Sequence, residues 1–316
     1  MNNFNGIFKE ELENFVIYKR NNGYVFNTNI EKLKNFDNYT IEYKITTKKL
    51  TKELVINYIE SHKNWKGITK NVYASFIRQF AIYLDIVGID SYILPLKYYS
   101  AKRNFKPYIF TNEEITKIFK SIDNCYLKIH PKKQLQIQLI FELLFSTGMR
   151  ISEVLNIKRE NINYDKCIIE IKETKNGSDR LILINKNLTE KLLVFENEYN
   201  NNYEYFFENN IQQKYSPDCI YSIFRKILFN AKIMHTENGP RLHDIRHTFC
   251  VNSFKQAIEQ GKDLENYLPI LCTYVGHTDL SSTYKYLHLT CSVFPEIRDK
   301  VKDIINIEKE IKYEEF

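Results

Sequence analysis

The 316-residue chain reads as a mainly α protein in two parts, the second carrying one small antiparallel β-sheet. Three observations lead there. Apolar residues recur at helical spacing through residues 8–96 and again beyond residue 111. Two short β-branched runs flank an Asn-Gly turn near residue 176, which is the signal of a hairpin. A basic stretch without acids, containing two prolines, separates two segments long enough for separate cores.

Taken in order, Phe8, Leu12, Phe15, Val16 and Tyr18 share a helical stripe. Leu54, Ile56, Tyr58 and Ile59 form another after the start signal Thr51-Lys52-Glu53, and Tyr73, Phe76, Ile77, Phe80 and Tyr83 a third within 71–84. Residues 1–100 are therefore expected to be an all-α domain. Residues 101–110 read as a linker, and a second domain is expected over 111–316. It opens at Thr111, where Thr111-Asn112-Glu113-Glu114 has the form of a capping box. The run from Gln134 to Ser146 is apolar nearly all round and predicts a buried central helix that stops at Gly148. A shorter helix restarts near Ile151. The runs 167–171 and 180–184 are the expected strands, and helices return after Thr189 and after His243. From Pro295 to Phe316 a weak apolar repeat (Ile297, Val301, Ile304, Ile305, Ile311) suits docking either on the same domain or on a neighbouring protomer.

The net charge of +6 is unevenly placed. Residues 1–110 hold 17 Lys+Arg against 10 Asp+Glu, whereas the rest of the chain is near balance. A basic N-terminal third suits a polyanion, because Lys and Arg displace counterions from phosphates. Lys102, Arg103 and Lys106 concentrate that charge in the linker, which reads as lying against a polyanion. The six cysteines show neither CxxC pairing nor His/Cys ligand spacing, so reduced thiols and a reducing, cytoplasmic compartment are expected. The N-terminus lacks the form of a signal or transit peptide, and no apolar run approaches the roughly 20 residues of a membrane helix.

The residues that carry chemistry are far apart in the chain. Thr147-Gly148-Met149-Arg150-Ile151-Ser152-Glu153 stands upstream; His243-Asp244-Ile245-Arg246-His247, Gly276-His277 and Tyr284-Lys285-Tyr286 follow near the end. An arginine at a helix junction, or one tyrosine among 23, is ordinarily structural when read alone. In this order the set resembles the tyrosine recombinase (phage integrase) family, and the resemblance spans nearly the whole chain. It implies a two-domain architecture, with a helical core-binding domain followed by an α+β catalytic domain. It implies that Arg150 and Arg246 grip the non-bridging oxygens of a phosphodiester with fixed guanidinium forks. By the same resemblance His277 contacts the phosphate, His243 takes a proton from the nucleophile, and Lys175 in the hairpin turn gives one to the departing oxygen. Glu153 then orients Arg150. Lys172 is the nearby alternative to Lys175, which better fits the family's distance to the next strand. His247 is read as structural, on another helix face.

Tyr286, nine residues beyond His277, matches the nucleophile. Its rival Tyr284 would point to the far side of a helix. The implied reaction joins the tyrosine to a DNA 3′ phosphate and frees a 5′-hydroxyl; religation to a partner strand recombines the DNA without ATP or metal. No cofactor is expected, since the chain has neither a GxxxxGK[ST] loop nor an acidic pattern for paired Mg²⁺ ions. The implied partners are double-stranded DNA and further copies of the chain, two per site and four per synapse, with accessory DNA-binding proteins possible. Residues 259–269 make the Arg246–His277 interval longer than in compact members, which favours the recombinases of mobile elements for integration, excision or transposition. The alternatives are a type IB topoisomerase, which relaxes supercoils with the same tyrosine chemistry, and a catalytically idle DNA-binding regulator of the same fold.

Overall fold

A computed structural model describes residues 4–24, 26–96, 98–99, 106–126, 130–172, 179–199, 203–209, 213–236, 239–277 and 281–297. The chain divides into two compact units, Met1–Asn104 and Phe105–Phe316.

The first unit contains α1 (Lys9–Asn21), α2 (Asn27–Glu42), α3 (Lys52–Ser61) and α4 (Gly67–Ile86). The start signal at Thr51 acts as read: its side chain accepts from the Leu54 N–H at 3.2 Å, an N-cap bond. Helix α2 is the element that the periodicity of its neighbours overshadows. Its sequence is rich in Asn and Lys, yet Leu33, Phe36 and Tyr39 fall on one stripe and are buried. The core is largely aromatic. The Phe80 ring lies 6.1, 5.4 and 6.2 Å from the rings of Phe8, Phe15 and Phe36, tying α4 to the first two helices. Pairs of this kind add about 0.5–1.5 kcal/mol each beyond the area they bury. The one buried acid of α2, Asp37, is satisfied by the N–H groups of Asn5 and Gly6 at 2.7 and 2.9 Å.

The second unit is mainly helical around one three-stranded antiparallel sheet of order β1-β2-β3. Its helices are α5 (Asn112–Tyr126), α6 (Pro131–Thr147), α7 (Ile151–Leu155), α8 (Lys186–Tyr199), α9 (Pro217–Asn230), α10 (Asp244–Glu259), α11 (Leu264–Val275) and α12 (Ser281–Val293). The strands are β1 (Ile162–Asn163), β2 (Ile168–Ile171) and β3 (Arg180–Leu183). The sequence reading anticipated β2 and β3. It missed β1, whose two residues are too short to show a period. Register pairs Ile169 with Ile182 on the buried face and Ile171 with Arg180 at the end of the ladder. The turn that would join these strands, residues 173–178, lies outside the described residues, and with it Lys175.

The capping box forms as expected: the Glu114 N–H donates to Thr111 Oγ1 at 3.2 Å, and the Thr111 N–H donates to Glu114 Oε2 at 2.9 Å. The end of the segment read as linker is packed rather than free. Phe110 is 2% exposed, and its N–H donates to Thr248 Oγ1 on α10 at 3.0 Å. Lys106 is exposed, while Lys102 and Arg103 lie outside the described residues. Residues 259–269 form the end of α10, a turn and the start of α11; Leu264 and Leu268 of that stretch enter the core. Among the described residues no helix is long and apolar enough to cross a membrane.

Helix α6 is buried on most of its circumference, with Ile137, Leu139, Ile140, Phe141 and Leu143 inaccessible to solvent. It ends where the sequence said it would. Gly148 adopts a left-handed conformation (φ +63°), and a Cβ there would stand 2.3 Å from the Phe249 ring. A side chain is thus excluded twice, by backbone and by space. Gly148→Ala is expected to lower stability by about 2 kcal/mol or more, read as a drop in the urea midpoint. A midpoint within error of wild type would show that the junction relaxes freely.

Candidate active site

The site is built on four short segments of the second unit: the α6–α7 junction, the first turns of α10, the end of α11 and the first turns of α12. What holds them together starts with a general property of helices. The last carbonyls of a helix have no partner within it. At the end of α11, three successive carbonyls find three arginines. Arg180 Nε donates to Tyr274 O at 2.8 Å, Arg246 Nη2 to Val275 O at 2.6 Å and Arg150 Nη2 to Gly276 O at 2.7 Å. The negative end of the helix dipole favours such cations. Gly276 closes the helix at φ +69°, and a Cβ there would meet the Arg180 guanidinium at 2.9 Å, so the close approach requires glycine.

Arg246 also donates to Gly148 O at 2.9 Å through Nη1, which joins the α6–α7 junction to α10. It is 2% exposed. Burial pulls its pKa down, yet a guanidinium remains charged at any working pH. Arg150, on the rim, is more open. Its backbone N–H donates to Glu153 Oε2 at 2.8 Å, and its Nη1 donates to Glu153 Oε1 at 2.8 Å. Arg180 grips the same carboxylate through Nη1 and Nη2 at 3.1 and 2.8 Å. Burial disfavours charge on Glu153, but the hydrogen bonds from Arg180 and Arg150 outweigh it and hold the carboxyl below its usual range. Glu153 therefore orients two arginines, of which the sequence reading named one.

Tyr286 stands on α12, 7% exposed, against the first turns of α10. Its hydroxyl is 2.9 Å from His247 Nδ1. The His277 ring lies parallel to the tyrosine ring at 5.7 Å between centroids, and His277 Nδ1 is 3.0 Å from Thr283 Oγ1, one turn before Tyr286. Burial raises the phenol pKa, as does the neighbouring Cys250, and Arg246 works against the rise. Tyr284, the rival, is half-buried in the apolar cluster of α10–α12 and so serves packing.

Two residues correct the sequence reading. His247, taken as structural and facing elsewhere, touches the tyrosine hydroxyl. Adjacency to Arg246 misled; the relevant spacing is four residues from His243, which puts both imidazoles on one helix face with perpendicular rings 4.8 Å apart. Arg180 stands in the sequence simply as the first residue of the expected strand 180–184. Its signal is phase: it lies two residues from buried Ile182, on the same face, and an arginine on the buried face of a strand needs a counter-charge.

His243 is an exposed residue. Desolvation by the surrounding protein, then Arg246 and Arg150, pull its imidazole down to about 4. Burial, His243 and Arg246 pull His247 down to about 3. Both are therefore neutral near pH 7 and able to accept protons. Among the described residues, no group of three or more His, Cys, Asp or Glu side chains could hold a metal ion. What converges instead is a set of fixed cationic donors beside a buried phenol.

Comparison with known proteins identifies the family. The model of the phage integrase family matches residues 109–292, more than half of the chain, and the chain belongs to that family. The similar proteins include the tyrosine recombinase XerA of Pyrococcus horikoshii, 28% identical over 73% of this chain and 74% of the relative. Two solved structures share the fold. One is a lambda integrase dimer bound to a COC' core site (TM-score 0.64, 13% identity, covering 88% of this chain and 94% of that one). The other is the XerH site-specific recombinase in a post-cleavage complex with palindromic difH substrate (TM-score 0.63, 21% identity, covering 82% and 75%).

Two outcomes follow from the charge arrangement. Glu153→Gln removes the counter-charge of the buried Arg180, and of Arg150 on the rim, and is expected to destabilise the protein by about 3–5 kcal/mol, seen in urea unfolding at pH 7; a loss under 1 kcal/mol would mean that the two arginines are not held by this carboxylate. The second concerns pH. His247 has a folded pKa below its unfolded value, so between about 6.5 and 3 the unfolded chain binds a proton that the folded chain does not. Stability from this group is complete above pH 6.5 and declines as pH falls. Wild type should lose about 1–2 kcal/mol more than His247→Asn between pH 7 and 5. Equal losses in both proteins would refute this.

Proposed function

We propose that this chain is a site-specific DNA recombinase that cuts and rejoins duplex DNA through Tyr286, in the service of a mobile element. The carrying observation is the convergence of Arg150, Arg246, His243, His247 and His277 around a single buried tyrosine, within a member of the phage integrase family. In this reading the Tyr286 oxygen attacks the phosphorus of a phosphodiester. The O–P bond forms as the P–O5′ bond breaks, leaving a 3′-phosphotyrosyl link. The phenol's proton passes to a histidine of α10, which the family pattern makes His243, and Lys175 supplies a proton to the departing 5′ oxygen. Arg150, Arg246 and His277 stabilise the charge that builds on the non-bridging oxygens. Their preorganisation is what makes such stabilisation effective.

The attack of a 5′-hydroxyl from a partner strand reverses these steps and restores a phosphodiester. The bond energy is kept in the phosphotyrosyl link, so neither ATP nor a metal enters. Two copies on one site and four in a synapse supply the partner strands. The exposed Lys106, with Lys102 and Arg103, contributes phosphate contacts that hold the duplex without reading its bases. The extended 259–269 segment favours integration, excision or transposition of an element.

The test uses nicked suicide duplexes made from the DNA flanking the gene, with EDTA present, and a denaturing gel to detect a protein–DNA adduct. Wild type and Tyr284→Phe should form the adduct, and Tyr286→Phe should lose it. Relaxation of any supercoiled plasmid regardless of sequence would favour a type IB topoisomerase, and tight binding with no adduct an idle regulator.

A further inference from the structure

Resting on the recombinase reading, the geometry points to His247, rather than His243, as the residue that takes the nucleophile's proton. In the described structure the imidazole in contact with the Tyr286 hydroxyl is that of His247, with Nδ1 at 2.9 Å. That is a hydrogen-bond distance along which a proton can move without rearrangement. His243 meets His247 edge-on at 4.8 Å and retains a solvent-facing side, which suits a phosphate oxygen better than the buried phenol.

The other groups near the hydroxyl are poorer candidates. His277 lies face to face with the tyrosine ring, and its Nδ1 is paired with Thr283. Arg246 is a permanent cation and can only donate. Cys250, one turn beyond Arg246 and inaccessible to solvent, has its thiol pushed up to about 12 by burial; it stays protonated, and a neutral thiol is far too weak a base to take a second proton. His247 is different. In the tautomer with its proton on Nε2, Nδ1 presents a lone pair to the phenol.

The neighbours of His247 also explain how a weak base serves here. Burial, His243, Arg246 and His277 all disfavour its cation. A phosphodiester brings a negative charge to that same cluster. It offsets the arginines and makes the imidazolium tolerable when the phenol ionises. The balance is complete: the proton leaves Tyr286 for His247 as the O–P bond forms, and the breaking P–O5′ bond is protonated from Lys175. The histidine returns its proton to the tyrosine on religation. Base function would then arise only with DNA in place.

The experiment measures single-turnover adduct formation on the nicked duplex by the full chain. It uses His247→Ala, His247→Gln and His243→Ala, each with tyrosine or with 3,5-difluorotyrosine at position 286. The fluorinated phenol ionises well below tyrosine and needs less help from a base. His247→Gln keeps a hydrogen-bonding side chain but cannot carry the proton, which separates folding from chemistry. The expected result is that both His247 variants bind DNA as wild type does but form adduct about 100-fold more slowly or worse. Fluorination should recover most of that deficit in them and little in His243→Ala. The assignment is overturned if His247→Gln cleaves at the wild-type rate, or if the fluorine-sensitive deficit belongs to His243→Ala. Failure of the underlying reading looks different: wild type, with either phenol, forms no adduct on DNA that it binds.

Discussion

Everything in the second unit that bears on function hangs from the unpaired carbonyls at the end of α11. Tyr274, Val275 and Gly276 offer three acceptors in a row, and arginines from β3, α10 and the α6–α7 junction each take one. These arginines come from positions 180, 246 and 150, so one helix end collects three distant stretches of chain. A backbone acceptor left buried and unpaired would be costly, and so would a buried guanidinium without a partner. Each solves the other's problem. At two left-handed glycines, Gly148 and Gly276, the arrangement leaves no room for a Cβ.

The same arrangement governs the electrostatics. With Glu153 shared between Arg150 and Arg180, the cluster is partly neutralised from behind, while its open side stays cationic. Two imidazoles beside it are held neutral, and a phenol is held protonated. The arginine donors are thus fixed in place by the protein's own hydrogen bonds. Helix α12 brings Tyr286 to this cluster through packing: Leu287 and Cys291 are buried on it, and Thr283 ties His277 to the same helix.

Much of this could be read from the chain before its coordinates. The stripe of Phe8, Leu12 and Phe15, and that of Phe76, Ile77 and Phe80, specify two helices because only a 3.6-residue period puts the members of each on one face. Gly148 and the Thr111 box mark a helix end and a helix start by local stereochemistry, and both lie where they were expected. The spacing of Arg150, His243, Arg246, His277 and Tyr286 was visible as a resemblance. What escaped was of two kinds. The strand β1 was too short to carry a period. His247 and Arg180 were legible only through phase, since their importance depends on which neighbours share a face, and adjacency in sequence conceals that.

The division has a physical reason. Backbone stereochemistry, apolar periodicity and the chemical identity of side chains are local properties, so the chain alone specified its helices, its hairpin and the kinds of groups available for chemistry. Pairing is not local. Which carbonyl each arginine takes, which imidazole reaches the phenol and whether a second guanidinium shares the Glu153 carboxylate depend on contacts spanning from 27 to 126 residues. Those choices arise from the competition to satisfy buried polar groups once the core has closed. They became definite only when α6, α10, α11 and α12 were packed against one another.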